Sequence, residues 1–479
     1  MRPRQRGEHS SERRRFPRME PALRPRAGER VIAIIGAGAS GTLAAVHLLR
    51  LSRASVVLID PRRPGPGVAY STGNSRHLLN APASAMSALT GEPDDFLLWC
   101  RSRGVAAEPG AFLARGLYGI YLRQLLARFA GRRLHVVRAQ VQSIAEPLHG
   151  GIAIALSDSS QVHADAAILA LGSAPPAPLP GVPPVPPHAL LSDPWAPGAL
   201  VAAARDARSV TILGTGLTAV DCALSIADAS PLATITAISR SGVLPRAHLP
   251  EGNEARALDL AAGSSLQEIL DAVGLAVSER PPALREVIDG LRPCTQELWQ
   301  GLCTEERRRF HSELRSCWEV HRHRLAPPVA QRIGELRAGG RLTVRAGAVA
   351  GVSAGRGSLA RVALADGSLL ESELVINATG PGPLRSWANP LLTRLLRSGR
   401  LSEDELGIGL ATSAEGALLD HAGVPSTRLF TLGPARRGEL LESTAVPEIR
   451  RQADALAQLL CREGDSCARS GRAHMLEQA

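Results

Sequence analysis

The sequence predicts an α/β fold assembled from two separate βαβ units, with a helical insertion in or after the second. Three observations predict it. Val31–Ile35 (VIAII) is an unbroken apolar run, the mark of a strand buried on both faces of a parallel sheet. A glycine turn, a helical pattern from Gly41 to about Leu51 and a second apolar run, Ser55–Ile59, follow it. The same grammar returns far downstream: Ser209–Leu213, a glycine turn, a helical pattern to about Ala229, then Ala233–Ile238. Two such starts so far apart imply two folds rather than one extended sheet. With 44% hydrophobic residues in a chain of 479, there is apolar material for more than one core. The third observation is the stretch from about Leu258 to Ala338, where the pattern turns helical and charged, as in Glu305–Phe310 (EERRRF).

Taken in order, residues 1–29 read as a disordered basic arm, since Arg2, Arg4, Arg6, Arg13, Arg14 and Arg15 crowd a segment poor in apolar residues. A true start at Met19 is an alternative. The first unit is expected over 30–190, ending in a connection with eight prolines between Pro175 and Pro187. The second is expected over 191–355, with its insertion at about 255–338. Strand-like pieces at Leu342–Val344, Val362–Leu364 and Glu373–Asn377 are expected to return the chain toward the first unit. Residues 356–462 should complete that unit, with a last helix from about Ala445 to Leu460 and a loose tail over 463–479.

Composition narrows the function classes. Much of the net charge of +10 lies in the N-terminal arm, and aromatics at 3% leave little material for stacking on bases, so nucleic acid is not expected as a partner. No stretch of ~18 uncharged apolar residues suggests a membrane span. The arginine-rich N-terminus lacks the apolar core of a secretory signal, so the cytoplasm is the expected location. Seven dispersed cysteines without a C-x-x-C pair fit reduced thiols and argue against a dithiol active site. His321 and His323 alternate with Arg322 and Arg324, whose charge would repel a metal cation, so no metal site is expected. That segment reads as structural or solvated, with an anion or cofactor-phosphate contact as the alternative.

The chemistry-bearing motifs are the two glycine turns. In Gly36-Ala-Gly38-Ala39-Ser40-Gly41 the first glycine permits the tight turn, the second lets backbone approach a pyrophosphate, and the third allows close helix–strand packing. The helix N-terminus adds unpaired N–H groups and partial positive charge. Asp60, at the end of the next strand, stands where an acid can bond an adenosine ribose. The second turn, Gly214-Thr-Gly216-Leu217-Thr218-Ala219, carries alanine in the third position, and its following strand ends in Ser239-Arg240-Ser241. Arg240 can pair with a 2′-phosphate, which favours NADPH while leaving NADH open, and an ordinary surface arginine is the competing reading. Both units are thus read as Rossmann-like dinucleotide-binding domains. Two strand ends with small–x–Gly turns, Ala167–Gly172 and Leu374–Gly380, look like the crossings between domains in two-dinucleotide flavoproteins. Phe430–Pro434 and the following Ser443–Arg450 look like the flavin-contacting strand and helix, and Gly433 belongs to that set. Pro434 departs from the pattern, since many members place there an aspartate that reaches the ribityl chain.

Further segments carry a family resemblance: Gly67–Thr72, His77-Leu-Leu-Asn80-Ala-Pro82, Met86-Ser87, Asp94–Trp99, Ser192–Trp195, His321–Arg324 and Gly433–Gly438. From Arg30 to Leu460 the chain resembles bacterial FAD/NAD(P)-binding oxidoreductases, and its layout is similar to flavin N-hydroxylating monooxygenases. The resemblance implies FAD in the first domain, held by Gly36, Gly38, Ala39, Ser40, Gly41, Asp60, Asn80, Gly172 and Gly433. It implies NADH or NADPH in the second, held by Gly214, Gly216, Leu217, Thr218 and Arg240. The implied reaction is a flavin-dependent monooxygenation through a C4a-hydroperoxide, using O₂ and a small electron-rich substrate. The family's best-defined activity implies hydroxylation of urate to 5-hydroxyisourate in purine breakdown, and Arg115 is the weak candidate to hold that anion. N-hydroxylation of an amino acid or amine, or a non-catalytic FAD-binding sensor, are the alternatives. Tyr118 and Tyr121, three apart, are expected to pack a helix rather than touch substrate.

Overall fold

The computed structural model describes residues 30–147, 150–179, 185–186, 188–248, 255–279 and 284–476. The expected basic arm therefore lies outside the described residues, as does part of the proline-rich connection.

The first sheet has six strands in the order Ala417–Leu419, Pro425–Thr431, Ala166–Leu169, Val31–Ile35, Ser55–Ile59, Leu134–Val137, and only the first pair is antiparallel. Val31–Ile35 is buried along its whole length, and side-chain alternation explains why it reads as a continuous apolar run. Ile32 and Ile34 join the core under helix Ala39–Leu51. Val31, Ala33 and Ile35 join the core on the other face, under an antiparallel three-stranded layer of Val141–Ala145, Ile152–Leu156 and Gln161–Ala164. The chain runs outward from Val31–Ile35 on one side and returns on the other. The C-terminal end of this strand is thus a topological switch point, where open α/β sheets bind ligands.

The second sheet is wholly parallel, in the order Leu342–Ala346, Thr234–Ser239, Ser209–Leu213, Leu374–Asn377, Leu190–Leu191. Its switch point is the end of Ser209–Leu213. A second antiparallel layer, Val349–Ala354, Ala360–Leu364 and Leu369–Ser372, packs on one face through Val352, Val362 and Leu364.

Three sequence expectations need correction here. Leu374–Asn377 does not return to the first unit. It pairs in register with Ser209–Leu213, Val375 opposite Thr211, so the second domain extends past 356 to about this strand. The helix Pro327–Ala338 is not insertion, because Val329, Ile333 and Leu336 pack in the core of the second fold and the helix leads into its edge strand. The helical insertion proper starts later, at Leu266–Glu279, and runs to Arg315–Arg322, with a π-turn at Phe310–Leu314 between two α segments. The last helix runs over Val446–Leu476, well past the expected end at Leu460. Its buried Ile449, Ala453, Leu456, Ala457 and Leu460 pack in one core with helix Ala39–Leu51.

Candidate functional site

Gly36 leaves its strand with φ +104°, and a Cβ there would stand 2.3 Å from the carbonyl oxygen of Ala170, at the end of the neighbouring parallel strand. Only glycine fits that turn. Helix Ala39–Leu51 begins directly after it with no side-chain cap and no acid in its first turn. Its leading N–H groups thus stay open to an anion. The third glycine is fixed by packing: a Cβ on Gly41 would fall 1.9 Å from the carbonyl oxygen of Gly36. Asp60 follows the next strand as expected, but its carboxylate is already engaged. One oxygen accepts from the Ala37 N–H at 2.8 Å and the other from the Arg62 N–H at 2.7 Å. Its first role is to tie the glycine turn to the adjacent strand. A ribose hydroxyl would have to share the remaining lone pairs.

The C-terminal segment closes on the same turn. A Cβ on Gly433, which has φ +75°, would come 2.7 Å from the Ser40 Oγ. The Gly433 N–H donates to Gln452 Oε1 on the last helix at 2.8 Å. Gly433 and Ser40, singled out hundreds of residues apart, are therefore brought together. Gly172, at φ +76°, lies just beyond the strand that flanks Gly36, in open space.

The second turn repeats the first. Gly214 has φ +118°, and its Cβ would lie 2.3 Å from the carbonyl oxygen of Ala378 on the adjacent parallel strand. Helix Leu217–Ala229 starts from Gly216, again with no side-chain cap and no first-turn acid. Around Gly216 a Cβ would meet nothing within 4 Å. Arg240 stands exposed beyond the end of the next strand and makes no hydrogen bond or ion pair with any described residue. Nearby Ser239 is tied inward: its hydroxyl is hydrogen-bonded with that of Thr215 at 2.8 Å and accepts from the Gly242 N–H at 3.0 Å.

Between the two domains lies a cleft of ≈ 190 Å³. Tyr70, Asn80, Met86 and Arg115 line it from the first domain, Leu217 and Asp221 from the second. His323 and Arg324 line it from the end of the insertion, and Thr444 to Pro447 from the start of the last helix. Sequence reasoning named Asn80 and Leu217 as cofactor contacts, and gave an anion or cofactor-phosphate contact only as the alternative for the segment of His323 and Arg324. Only the fold carries them to the cleft. Burial lowers the His323 pKa, so its ring stays neutral, while burial pushes the Tyr70 phenol up to about 12. Arg324 is held in place by Asp289 at 2.7 Å.

Arg115, the candidate anion holder, is engaged through one nitrogen, while its Nε is buried without a hydrogen-bond partner among the described residues. Its Nη2 pairs with Asp221 Oδ2 at 2.6 Å, and its guanidinium lies 5.3 Å from the Trp195 ring centroid. Tyr118 and Tyr121 are buried in an aromatic cluster with Phe96, and Tyr121 donates to Asp95 at 2.6 Å, so both pack a helix as expected. Among the described residues no group of histidine, cysteine and acidic side chains could hold a metal ion, and no helix is long and apolar enough to cross a membrane.

Residues 33–174 match a family model described as FAD-NAD(P)-binding. Comparison with curated proteins returned no match. Among solved structures, an ornithine N-hydroxylase from Kutzneria sp. 744, in complex with reduced FAD, NADP⁺ and L-ornithine, superposes with a TM-score of 0.61 at 14% identity. The match covers 91% of this chain and 99% of that one. L-lysine 6-monooxygenase from Pseudomonas syringae gives a TM-score of 0.60 at 15% identity over the same shares, 91% and 99%. A flavin monooxygenase from Stenotrophomonas maltophilia gives 0.54 at 20% identity, covering 91% and 98%. Likeness at these identities shows the fold: the chain has the two-domain α/β architecture of the flavin monooxygenases over most of its length.

Proposed function

We propose that this chain is an FAD-dependent, NAD(P)H-consuming monooxygenase that hydroxylates a small amine or amino acid at nitrogen. The observation that carries the reading is the pair of uncapped helix N-termini. Each opens from a glycine turn at the switch point of its own parallel sheet, and an interdomain cleft lies between the sheets. The residues present fit both dinucleotides. Gly36, Gly38, Ala39, Ser40 and Gly41 would hold the FAD pyrophosphate, with Asp60, Asn80, Gly172 and Gly433 around it. Gly214, Gly216, Leu217 and Thr218 would hold that of the nicotinamide cofactor, and the exposed Arg240 suits a 2′-phosphate. Bound FAD supplies hydride acceptance from the nicotinamide and activation of O₂ for transfer of one oxygen atom.

The chain's own residues supply the setting. Met86, Leu79, Leu217, Val220, Leu325 and Val446 make much of the cleft apolar, which keeps water from the reacting groups. An alkylamine is a nucleophile only when neutral, yet its ammonium form loses its proton near pH ~10 in water. His323 lines the cleft, and because burial keeps its ring neutral it can accept a hydrogen bond from the amine without setting a second positive charge beside it. Nitrogen is preferred as the target because ornithine and lysine hydroxylases share this architecture across nearly the whole chain. Urate, implied by the sequence resemblance, draws no support from these comparisons, and Arg115 is already paired with Asp221.

The test supplies purified enzyme with NADPH and O₂ and offers ornithine, lysine, cadaverine and urate in turn, reading hydroxylamine product against oxygen consumed. Hydroxylamine formed in proportion to oxygen supports the reading. Oxygen uptake that yields only hydrogen peroxide with every amine, or product from urate alone, contradicts it.

A further inference from the structure

Polar contacts from the 72–77 loop and from Arg115 cross the domain boundary and end on one helix, Leu217–Ala229. His77 Nε2 meets the Asp221 carbonyl at 3.0 Å and Ser225 Oγ at 2.9 Å, and Thr72 Oγ1 meets its Nδ1 at 2.8 Å. A neutral ring protonated at Nε2 satisfies all three, and burial holds the ring neutral by lowering its pKa. Asn74 donates to Ser225 at 3.2 Å, and Arg76 pairs with Asp228 at 3.0 Å. Arg115 pairs with Asp221 at 2.6 Å, both side chains being more than four-fifths buried. Asp221, Ser225 and Asp228 are spaced four and three residues apart, so they form one stripe on one helix face. Trp195, also in the second domain, packs under the Arg115 guanidinium and meets the His77 ring edge-on at 6.2 Å.

This is the helix that the second glycine turn opens, and Asp221 follows Leu217 by about one turn. Packing does not require a carboxylate there, since its neighbours Val220, Cys222, Ala223 and Leu224 are buried and mostly apolar. We propose that Asp221, clamped by Arg115, is a positioning residue. It fixes the rotation of the nicotinamide-binding helix against the first domain, and so sets how the two dinucleotides meet. The assignment rests on the function proposed above. It explains why Arg115, which lines the cleft, is paired with a carboxylate of the other domain.

The experiment compares the wild-type chain with Asp221→Asn, which keeps the shape and removes the charge, and with Asp221→Glu. The first readout needs no turnover: amide hydrogen exchange over residues 217–229 and 72–78 should quicken in Asp221→Asn and recover partly in Asp221→Glu. The second is anaerobic reduction of bound flavin by NADPH. Its limiting rate should fall by about tenfold to a hundredfold, because small misplacements of reacting partners cost that much. FAD content and the NADPH dissociation constant should change much less. Arg115→Lys, which keeps the charge but loses the planar fork, should repeat the effect more weakly and serves if Asp221→Asn does not fold. Unchanged exchange with a wild-type reduction rate overturns the role. A wild-type protein whose flavin neither nicotinamide reduces overturns the functional reading and this role with it, whereas normal wild-type reduction with an insensitive Asp221→Asn overturns this role alone.

Discussion

The two glycine turns are the same device set in different surroundings. Both have a first glycine at strongly positive φ with its Cβ direction blocked at 2.3 Å by a carbonyl of the neighbouring strand. Beyond that they part. The first turn is packed: Gly38 lies against Gly67, Gly41 against Gly36, and Ser40 against Gly433 of the C-terminal segment. The second is open around Gly216 and carries Ala219 where the first has Gly41. A turn enclosed by two distant segments suits a cofactor that stays through many turnovers, and an open one suits a cofactor that exchanges in each. Related motifs can thus be suited to different roles by what the rest of the chain lays over them.

Substitution at the matched positions should separate the two most sharply. Gly41→Ala places a Cβ 1.9 Å from backbone, an overpacking cost of at least ~2 kcal/mol. It is expected to lower the melting temperature and reduce bound flavin per chain more than tenfold. Gly216→Ala meets open space at an ordinary φ of −75°, so stability should hold or rise by roughly 0.4–1 kcal/mol. Flavin content should be unchanged while NADPH affinity weakens by about tenfold, equivalent to ~1.4 kcal/mol. Equal losses of flavin in both variants would break the comparison.

Arg240→Ala addresses only the open turn. Losing a charge-assisted contact of about 1.5–3 kcal/mol should weaken NADPH by roughly 10–100-fold and leave NADH nearly unaffected. Steady-state KM values for both nicotinamides check it, and an equal effect on the two would remove Arg240 from the site.

Legibility in the sequence followed the range of the interactions. The glycine turns, their strands and their helices are local patterns, and Gly36, Gly41 and Gly214 stand where such patterns place them. Leu374–Asn377 was misplaced because a buried parallel strand reads alike in either sheet; only its pairing with Ser209–Leu213 assigns it. His323 and Arg324 carried no local sign of a cleft, and Arg115 looked available because its partner Asp221 lies on a helix of the other domain. Asp60 was legible as a residue at a strand end, but not its capture by the Ala37 and Arg62 amides.

The smallest expected effect concerns acid, and it touches the first domain and its junction with the second. His47 and His77 are buried, and that burial lowers both pKa values. Below the ordinary histidine pKa of ~6.5 the unfolded chain takes up protons that the folded chain refuses. Stability is therefore complete above that pH and declines as pH falls through and below it. Urea midpoints measured at about pH 7.5 and about pH 5.5 should differ by a modest amount, and His77→Asn should shrink the difference. A midpoint that rises on acidification would contradict the sign.

The most direct test of the paired-cradle account is an anaerobic titration of the purified protein with NADPH, following its visible flavin absorption. One FAD per chain, bleached by one equivalent of NADPH, is the predicted result. A colourless protein that takes up no added FAD, or a bound flavin that neither NADPH nor NADH bleaches, would contradict it.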